Sequence, residues 1–316
     1  MAQTSKKSLN TQTVVLIVAL VMWFLLSIFT KTFFTMVNVQ NIMRQMAIQG
    51  ILGIAEVLVI ITAGIDLSVG SVVALVNILM AQMLVSTTMH FPMPIIVIVC
   101  LGIAAFVGLI HGILIFEFRL PAFIATLGTM TILRGVVFLL TGGSNVFGMP
   151  RSVADFGSAD FLKIPYLFCF LIVAVIIVET ILRRTSFGRY IYALGSNPEA
   201  ARLSGVNTRV VTYGVYMLAS LLAGVAGIME TTRLWMGVPG TGNGYELDAI
   251  AAAVLGGTSL AGAEGTPAGA FVGALVMTTI YNGSILLHID PFWTRIIVGV
   301  ILVITVAVDQ FRKGKE

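Results

Sequence analysis

The sequence predicts an all-α membrane protein of about ten transmembrane helices in two inverted five-helix halves, with one short helix held on the cytosolic side. Three observations predict it. The 316 residues are 58% hydrophobic and only 10% charged, where soluble domains carry about 25% charge. The apolar runs divide into ten segments, an even number that puts both ends on one side of the membrane. One charged island, Arg183 to Arg209, interrupts them. Nothing in the composition sets off a second, soluble domain, so residues 1–316 read as a single domain. The net charge of +4 follows from membrane orientation and gives no reason to expect nucleic acid.

The spans, taken in order, are 14–30, 42–62, 67–88, 94–117, 121–141, 164–182, 211–232, 246–260, 265–288 and 292–309. The first follows Lys6 and Lys7, exceeds a signal-peptide core and lacks a small-residue cleavage site, so it reads as an uncleaved helix. Pro92, Pro94, Pro121, Pro165, Pro267 and Pro291 fall at or near span starts, where proline costs least. Residues 1–13 form the N-terminus, 14–182 the first six spans, 183–210 a long loop, 211–309 the last four spans and 310–316 the tail. With both ends cytosolic, Lys6, Lys7, Arg119, Arg183, Arg184, Arg189, Arg202, Arg209, Arg312, Lys313 and Lys315 lie inside. Lys31, Arg151, Lys163 and Arg233 lie outside, and this bias follows the positive-inside rule. Ten spans split into two sets of five, which forces the second half to enter from the opposite face, as in inverted repeats. A weak internal echo, GIDLSVGSVVAL (64–75) against YELDAIAAAVLGG (245–257), accompanies it.

The island carries five arginines and one acid, Glu199, and inside it a short helix is punctuated at both ends. Asn197 suits the N-cap, Pro198 the first helical position, and Glu199 the positive end of the dipole. Ala200, Ala201, Arg202 and Leu203 continue it, and Gly205 closes it as a left-handed cap. It spans roughly 10 Å, too short to cross a bilayer. It reads either as an ordered surface loop or as an element presented for another protein to grip.

Two spans are poorly made for simple crossing. In TAGIDLSVG (62–70), Asp66 suits the cap of a helix beginning at Leu67, and Gly64 permits a sharp turn. In GTGNGYELDAIAAAVLGGTSLAGAEGTP (240–267), glycine is dense and the apolar part short. Interrupted segments at comparable places in two halves point to a transport pathway, and the same small residues also serve close helix packing. Isolated polar residues inside spans are Glu56, Asn77, Gln82, Arg134, Glu179 and Asn282. A charge at mid-membrane costs roughly 2.5–3.5 kcal/mol on insertion scales and needs a partner or water. Glu56 and Arg134 either pair or line a polar cavity. Glu179 and Arg183 fit an i,i+4 pair. Asn77 and Asn282 serve as interhelical glue or as hydrogen-bond partners for a polar cargo. The candidate pathway set is Glu56, Asp66, Asn77, Arg134 and Asn282.

Catalysis has no visible machinery. The sequence has no G-x-x-x-x-G-K-[ST] nucleotide loop, no H-E-x-x-H, no CxxC and no G-x-S-x-G. Cys100 and Cys169 sit in apolar runs with no metal or disulfide pattern. No catalytic residue, metal ligand or cofactor is expected in this chain.

FGRYIYALGSNPEAARLSGVN (187–207), AGIDLSVGSVVAL (63–75), FIATLGTMTILRG (123–135) and GYELDAIAAAVLGGTSLAGAEG (244–265) occur in this order. Together they resemble the permease subunits of ribose-type ABC monosaccharide importers, over nearly the whole chain. The resemblance implies a homodimeric permease in the bacterial inner membrane. It implies cytosolic ATPase subunits that hold ATP and Mg, and an extracytoplasmic sugar-binding protein. It makes 197–205 the coupling helix, with Glu199 and Arg202 as polar contacts and Leu203 as apolar anchor. Arg151, Lys163 and Arg233 would face the binding protein. Ala263-Glu264 departs from a more usual glycine-rich pair, and the 142–163 loop is individual. An ion-gradient-driven secondary transporter is the main alternative and would use the buried Glu56. A membrane scaffold or receptor is the other.

Overall fold

A chain buried in lipid must satisfy its own backbone hydrogen bonds, and this one does so almost entirely with helices. The computed structural model describes residues 11–86 and 91–313. The elements are α1 (Thr11–Phe29), α2 (Met36–Ile61), α3 (Val69–Val85), α4 (Met93–Phe116), α5 (Ala122–Thr141) and α6 (Arg151–Ser158). A two-stranded hairpin follows, β1 (Asp160–Phe161) and β2 (Ile164–Pro165). Then come α7 (Tyr166–Arg184), α8 (Ser186–Ser196), α9 (Pro198–Leu203), α10 (Thr208–Leu234), α11 (Tyr245–Leu255), α12 (Pro267–Leu286) and α13 (Pro291–Lys313). Among the described residues seven helices are long and apolar enough to cross a membrane: α1, α2, α4, α5, α7, α10 and α12. α3 has 17 residues and α11 only 11, and the described apolar stretch of α13 is Pro291–Ala307. The expected positions of Lys6, Lys7 and Lys315, and the last residues of the 67–88 span, lie outside the described residues.

The helix ends sort onto two faces. The end of α2 meets the α8–α9 segment and the 256–266 loop, since Ala263 N donates to Ile61 O at 2.8 Å. α12 starts there, Ala268 N donating to Glu179 Oε2 of α7 at 3.3 Å. So does α1, whose Gln12 reaches Thr266 Oγ1 at 2.7 Å. α4 ends beside the start of α10, where Glu117 accepts from Tyr213 Oη at 2.8 Å and pairs with Arg209 at 2.6 Å. The opposite face holds α6, the hairpin, and the end of α10, whose Trp235 indole donates to Met149 O at 3.0 Å. Leu162 and Lys163 at the hairpin tip both have positive φ (51° and 69°), the geometry of a tight primed turn.

α2 is the central post. Of its most apolar window 89% is buried, against 6% for peripheral α1. Glycine lets the other helices close on one another. A Cβ at Gly108 of α4 would stand 2.7 Å from Met217 Cα of α10, and one at Gly273 of α12 would stand 3.0 Å from Ala252 Cα of α11. Without a hydrophobic drive between helices in lipid, such backbone approach supplies the packing energy.

Several boundaries differ from the sequence reading; α2, for one, starts at Met36 and not at 42. α3 starts at Val69, not Leu67, because Leu67 N donates instead to Thr126 Oγ1 of α5 at 3.1 Å. Asp66 therefore caps the turn before the helix: its Oδ1 accepts from Ser68 N at 2.8 Å and Ser68 Oγ at 2.6 Å. The sharp turn there falls on Ala63 (φ 59°). Gly64 is instead required by close approach, since a Cβ there would collide with Tyr216 Oη. α11 ends at Leu255, five residues before the expected 260, where Gly256 abuts the Gly269 backbone and Gly257 turns left-handed (φ 90°). Ala263, the residue singled out as unusual, also has positive φ (62°), a conformation glycine adopts without strain. Finally, the charged island contains a second helix, α8, that the arginine count obscured.

Candidate coupling element and polar interior

The short helix forms as its caps dictate. Asn197 Oδ1 accepts from Glu199 N at 3.0 Å and Ala200 N at 2.9 Å, with Pro198 in the first turn. Gly205 (φ 84°) closes it: Gly205 N donates to Arg202 O at 3.0 Å and Val206 N to Ala201 O at 3.1 Å. Ala201 is buried beneath it, whereas Glu199, Ala200 and Arg202 are exposed and Leu203 is 79% exposed. Leu203 thus stands as an exposed apolar side chain on a helix fixed at both ends.

α8 connects this element to the interior. Thr185 caps it by accepting from Gly188 N at 3.1 Å, and its buried face is Gly188, Ile191 and Leu194. At its end Gly195 lies against Ile61 O and Ala263 N, so closely that a Cβ would collide with the former. Tyr192 Oη donates to Gly265 O at 2.8 Å. The capped helix is thus braced against both interrupted segments, the 62–68 turn after α2 and the 256–266 loop after α11.

The interrupted segments meet inside the protein. The first turn of α3 touches the approach to α11 so tightly that a Cβ at Gly70 would collide with Gly242 O and Glu246 Oε2. Two helix N-termini, with their positive dipole ends, converge on this point. Glu246 accepts from Gly244 N at 3.2 Å through Oε1, while its buried Oε2 has no partner among the described residues. Close by, Glu56, Asp66, His111 and Ser220 are fully buried, with Tyr216 beside them. His111 Nδ1 and Asp66 Oδ2 stand 3.8 Å apart. Both Glu56 oxygens, Asp66 Oδ2, both His111 nitrogens and Ser220 Oγ lack hydrogen-bond partners among the described residues. Burying these polar groups inside a membrane protein is expensive, which makes the cluster a candidate functional site.

Of the sequence candidates, Glu56 and Asp66 come together there. Arg134 does not pair with Glu56: its guanidinium donates to Thr241 O and, at 3.4 Å, to Pro239 O, which pins the loop before α11. Asn77 is saturated by Thr231 Oγ1 (3.0 Å), Met236 O (3.1 Å) and Val238 N (2.7 Å). Asn282 exchanges two hydrogen bonds with Asn38, at 3.1 and 2.8 Å. Both amides join helices: Asn77 has both N–H donors committed, whereas Asn282 keeps one N–H beyond its pair with Asn38. Glu179 pairs with Arg183 as expected. Arg151 is exposed and 3.9 Å from Asp155, and Lys163 sits at the exposed hairpin tip. Arg233 is instead turned inward, its Nε and Nη2 donating to the two carboxylate oxygens of buried Glu230 at 3.1 and 3.2 Å. Sequence reasoning passed over Glu230, Tyr245, Asp248 and Tyr281, because each takes its meaning from a partner on another segment. Among the described residues no group of three or more His, Cys, Asp or Glu side chains is arranged to hold a metal.

Residues 38–306 match the family model described as a branched-chain amino acid transport system / permease component, and the chain belongs to this permease family. It is an integral membrane transport subunit. It is 40% identical to the ribose import permease protein RbsC of Escherichia coli K12, over 93% of this chain and 92% of that protein. It is 38% identical to the RbsC of Bacillus subtilis, over 90% and 88%. It is 33% identical to the galactose/methyl galactoside import permease protein MglC of Haemophilus influenzae, over 90% of each. No solved structure matches the chain.

Proposed function

We propose that this chain is the membrane subunit of an ATP-driven, binding-protein-dependent importer of a monosaccharide, ribose or a similar pentose or hexose. The single observation that carries the ATP-driven part is α9, doubly capped and presenting Leu203 to solvent. ATP and Mg belong to a separate cytosolic ATPase subunit that grips α9, and two copies of the permease form the pathway. A sugar-binding protein docks on the opposite face, at the hairpin and α6, with Arg151 and Lys163 available to its acids.

Ten crossing segments in two inverted halves fit this reading. α3 and α11 supplement seven long helices and α13, and the starts of α3 and α11 meet while the two helices run opposite ways. The start of α1 lies on the α9 face, where Gln12 reaches Thr266, which supports a cytosolic N-terminal side. Sugar is favoured over amino acid as cargo because the relatives named for ribose and galactose align over nine-tenths of the chain. ATP binding would close the ATPase subunits and move α9. α8 would then shift the turns at 62–68 and 256–266 and open the pathway outward, with hydrolysis resetting it.

The test is uptake of labelled D-ribose, D-xylose, D-galactose and D-fructose into vesicles holding the permease and its ATPase, with binding protein outside. At least one sugar is expected to accumulate with ATP inside, and to keep accumulating when an uncoupler is added. Uptake that collapses with the uncoupler while ATP remains would assign the chain to ion-gradient transport.

A further inference from the structure

Resting on the sugar-importer reading, we propose that the permease holds its sugar in the cavity between α2, α11, α12 and α13. Its volume is about 470 Å³, within the range of small-molecule sites and ample for one sugar ring. Its polar lining includes Gln49, Arg233, Asn243, Asp248, Tyr281 and Arg295. Arg233 is already paired with Glu230, which leaves one guanidinium, Arg295, beside the two carboxylates Glu246 and Asp248 of the lining, so that no positive charge is left in excess for an anion. This balance suits a neutral polyol better than an anionic sugar.

The groups are held in place yet retain free valences. Tyr281 Oη donates to Asp248 Oδ1 at 2.7 Å, which fixes the carboxylate and leaves Oδ2 to accept from a hydroxyl. Thr278 Oγ1 donates to Gln49 Oε1 at 3.2 Å and leaves the amide NH₂ to donate. Planar carboxylate, amide and guanidinium groups match the donor–acceptor pairs of neighbouring sugar hydroxyls. Tyr245, Tyr281 and Leu302 supply apolar surface for the C–H faces of the ring. Arg295 stands exposed one turn into α13 beside exposed Ile296 and Ile297, near enough to the helix end for its guanidinium to reach water. Glu246 links the cavity to the buried carboxyl cluster below. The other large cavity, about 890 Å³, is lined chiefly by apolar residues such as Phe91, Ile98, Leu101 and Phe170, and suits a lipid chain.

The test uses the complete transporter in vesicles with saturating binding protein and the same four sugars. Gly299→Phe fills the cavity: Gly299 lines it, and an added Cβ meets nothing within 4 Å. Asp248→Asn keeps the shape and removes the charge. Each variant is expected to lower uptake about tenfold or more, the equivalent of one lost good hydrogen bond or a blocked site. ATP hydrolysis stimulated by the liganded binding protein continues, since it occurs on the ATPase subunits. Unchanged uptake in both variants would overturn the proposal. Parallel loss of uptake and stimulated hydrolysis would also overturn it, by making the residues structural. A wild-type transporter that moves none of the four sugars would instead refute the importer reading itself.

Discussion

Gly205→Pro is expected to lower ATP-driven uptake about tenfold or more while leaving the protein inserted in the membrane. Proline fixes φ near −65° and has no N–H, whereas Gly205 sits at φ 84° and donates to Arg202 O. The substitution therefore removes the C-terminal lock of α9, at a cost above about 1 kcal/mol for the incompatible φ and the lost hydrogen bond. A Cβ at Gly205 meets nothing within 4 Å, so the damage stays in the turn and the bundle keeps its packing. Gly205→Asn, which tolerates the left-handed region, is expected to retain most transport. Vesicle uptake measured beside membrane yield checks both. Normal uptake by the proline variant would show that α9 need not be rigid.

The largest stability effect is expected at Glu230. Its carboxylate is buried, accepts twice from Arg233, and accepts from Tyr245 Oη at 2.9 Å. It thereby ties the end of α10 to the first residue of α11 across the irregular 235–244 stretch. Glu230→Ala leaves a guanidinium and a phenol without their partner, and losing one member of a buried pair costs about 3 kcal/mol. The apparent melting temperature in mild detergent should fall by about 5–10 °C. Glu230→Gln, which can still accept from Tyr245, should fall less. An unchanged melting temperature in the alanine variant would mean that the network carries no stability.

The coupling element was legible because capping is local. The Asn197 side chain reaches amides two and three residues away, and the Gly205 conformation is set by its missing Cβ, so both are written in neighbouring letters. The long spans were legible because the need for apolar length is also local. α8 was missed because its buried stripe of Gly188, Ile191 and Leu194 is narrow and lies among arginines. The helix start at Val69 was missed because it depends on Thr126, some sixty residues away. The polar interior was the least legible part. Glu56 and Arg134 are both isolated charges in apolar runs, yet one joins Asp66 and the other pins the 239–241 backbone. Asn77 and Asn282 carry the same chemistry a sugar site needs, and only the structure shows that each is engaged by a neighbouring helix. Asp248 and Tyr281 acquire a role only when α11 and α12 come together.

The central claim, that α9 is the handle of a separate ATPase, is tested most directly by affinity purification of the tagged permease from mild detergent. It is made once as the wild type and once with Arg202→Asp and Leu203→Asp together. Both side chains are exposed, so the double variant should fold and insert normally. The account predicts that a nucleotide-binding ATPase subunit co-purifies with the wild type and is lost from the variant. A wild-type permease that purifies without an ATPase and still transports, or a variant that keeps its ATPase in full, would contradict it.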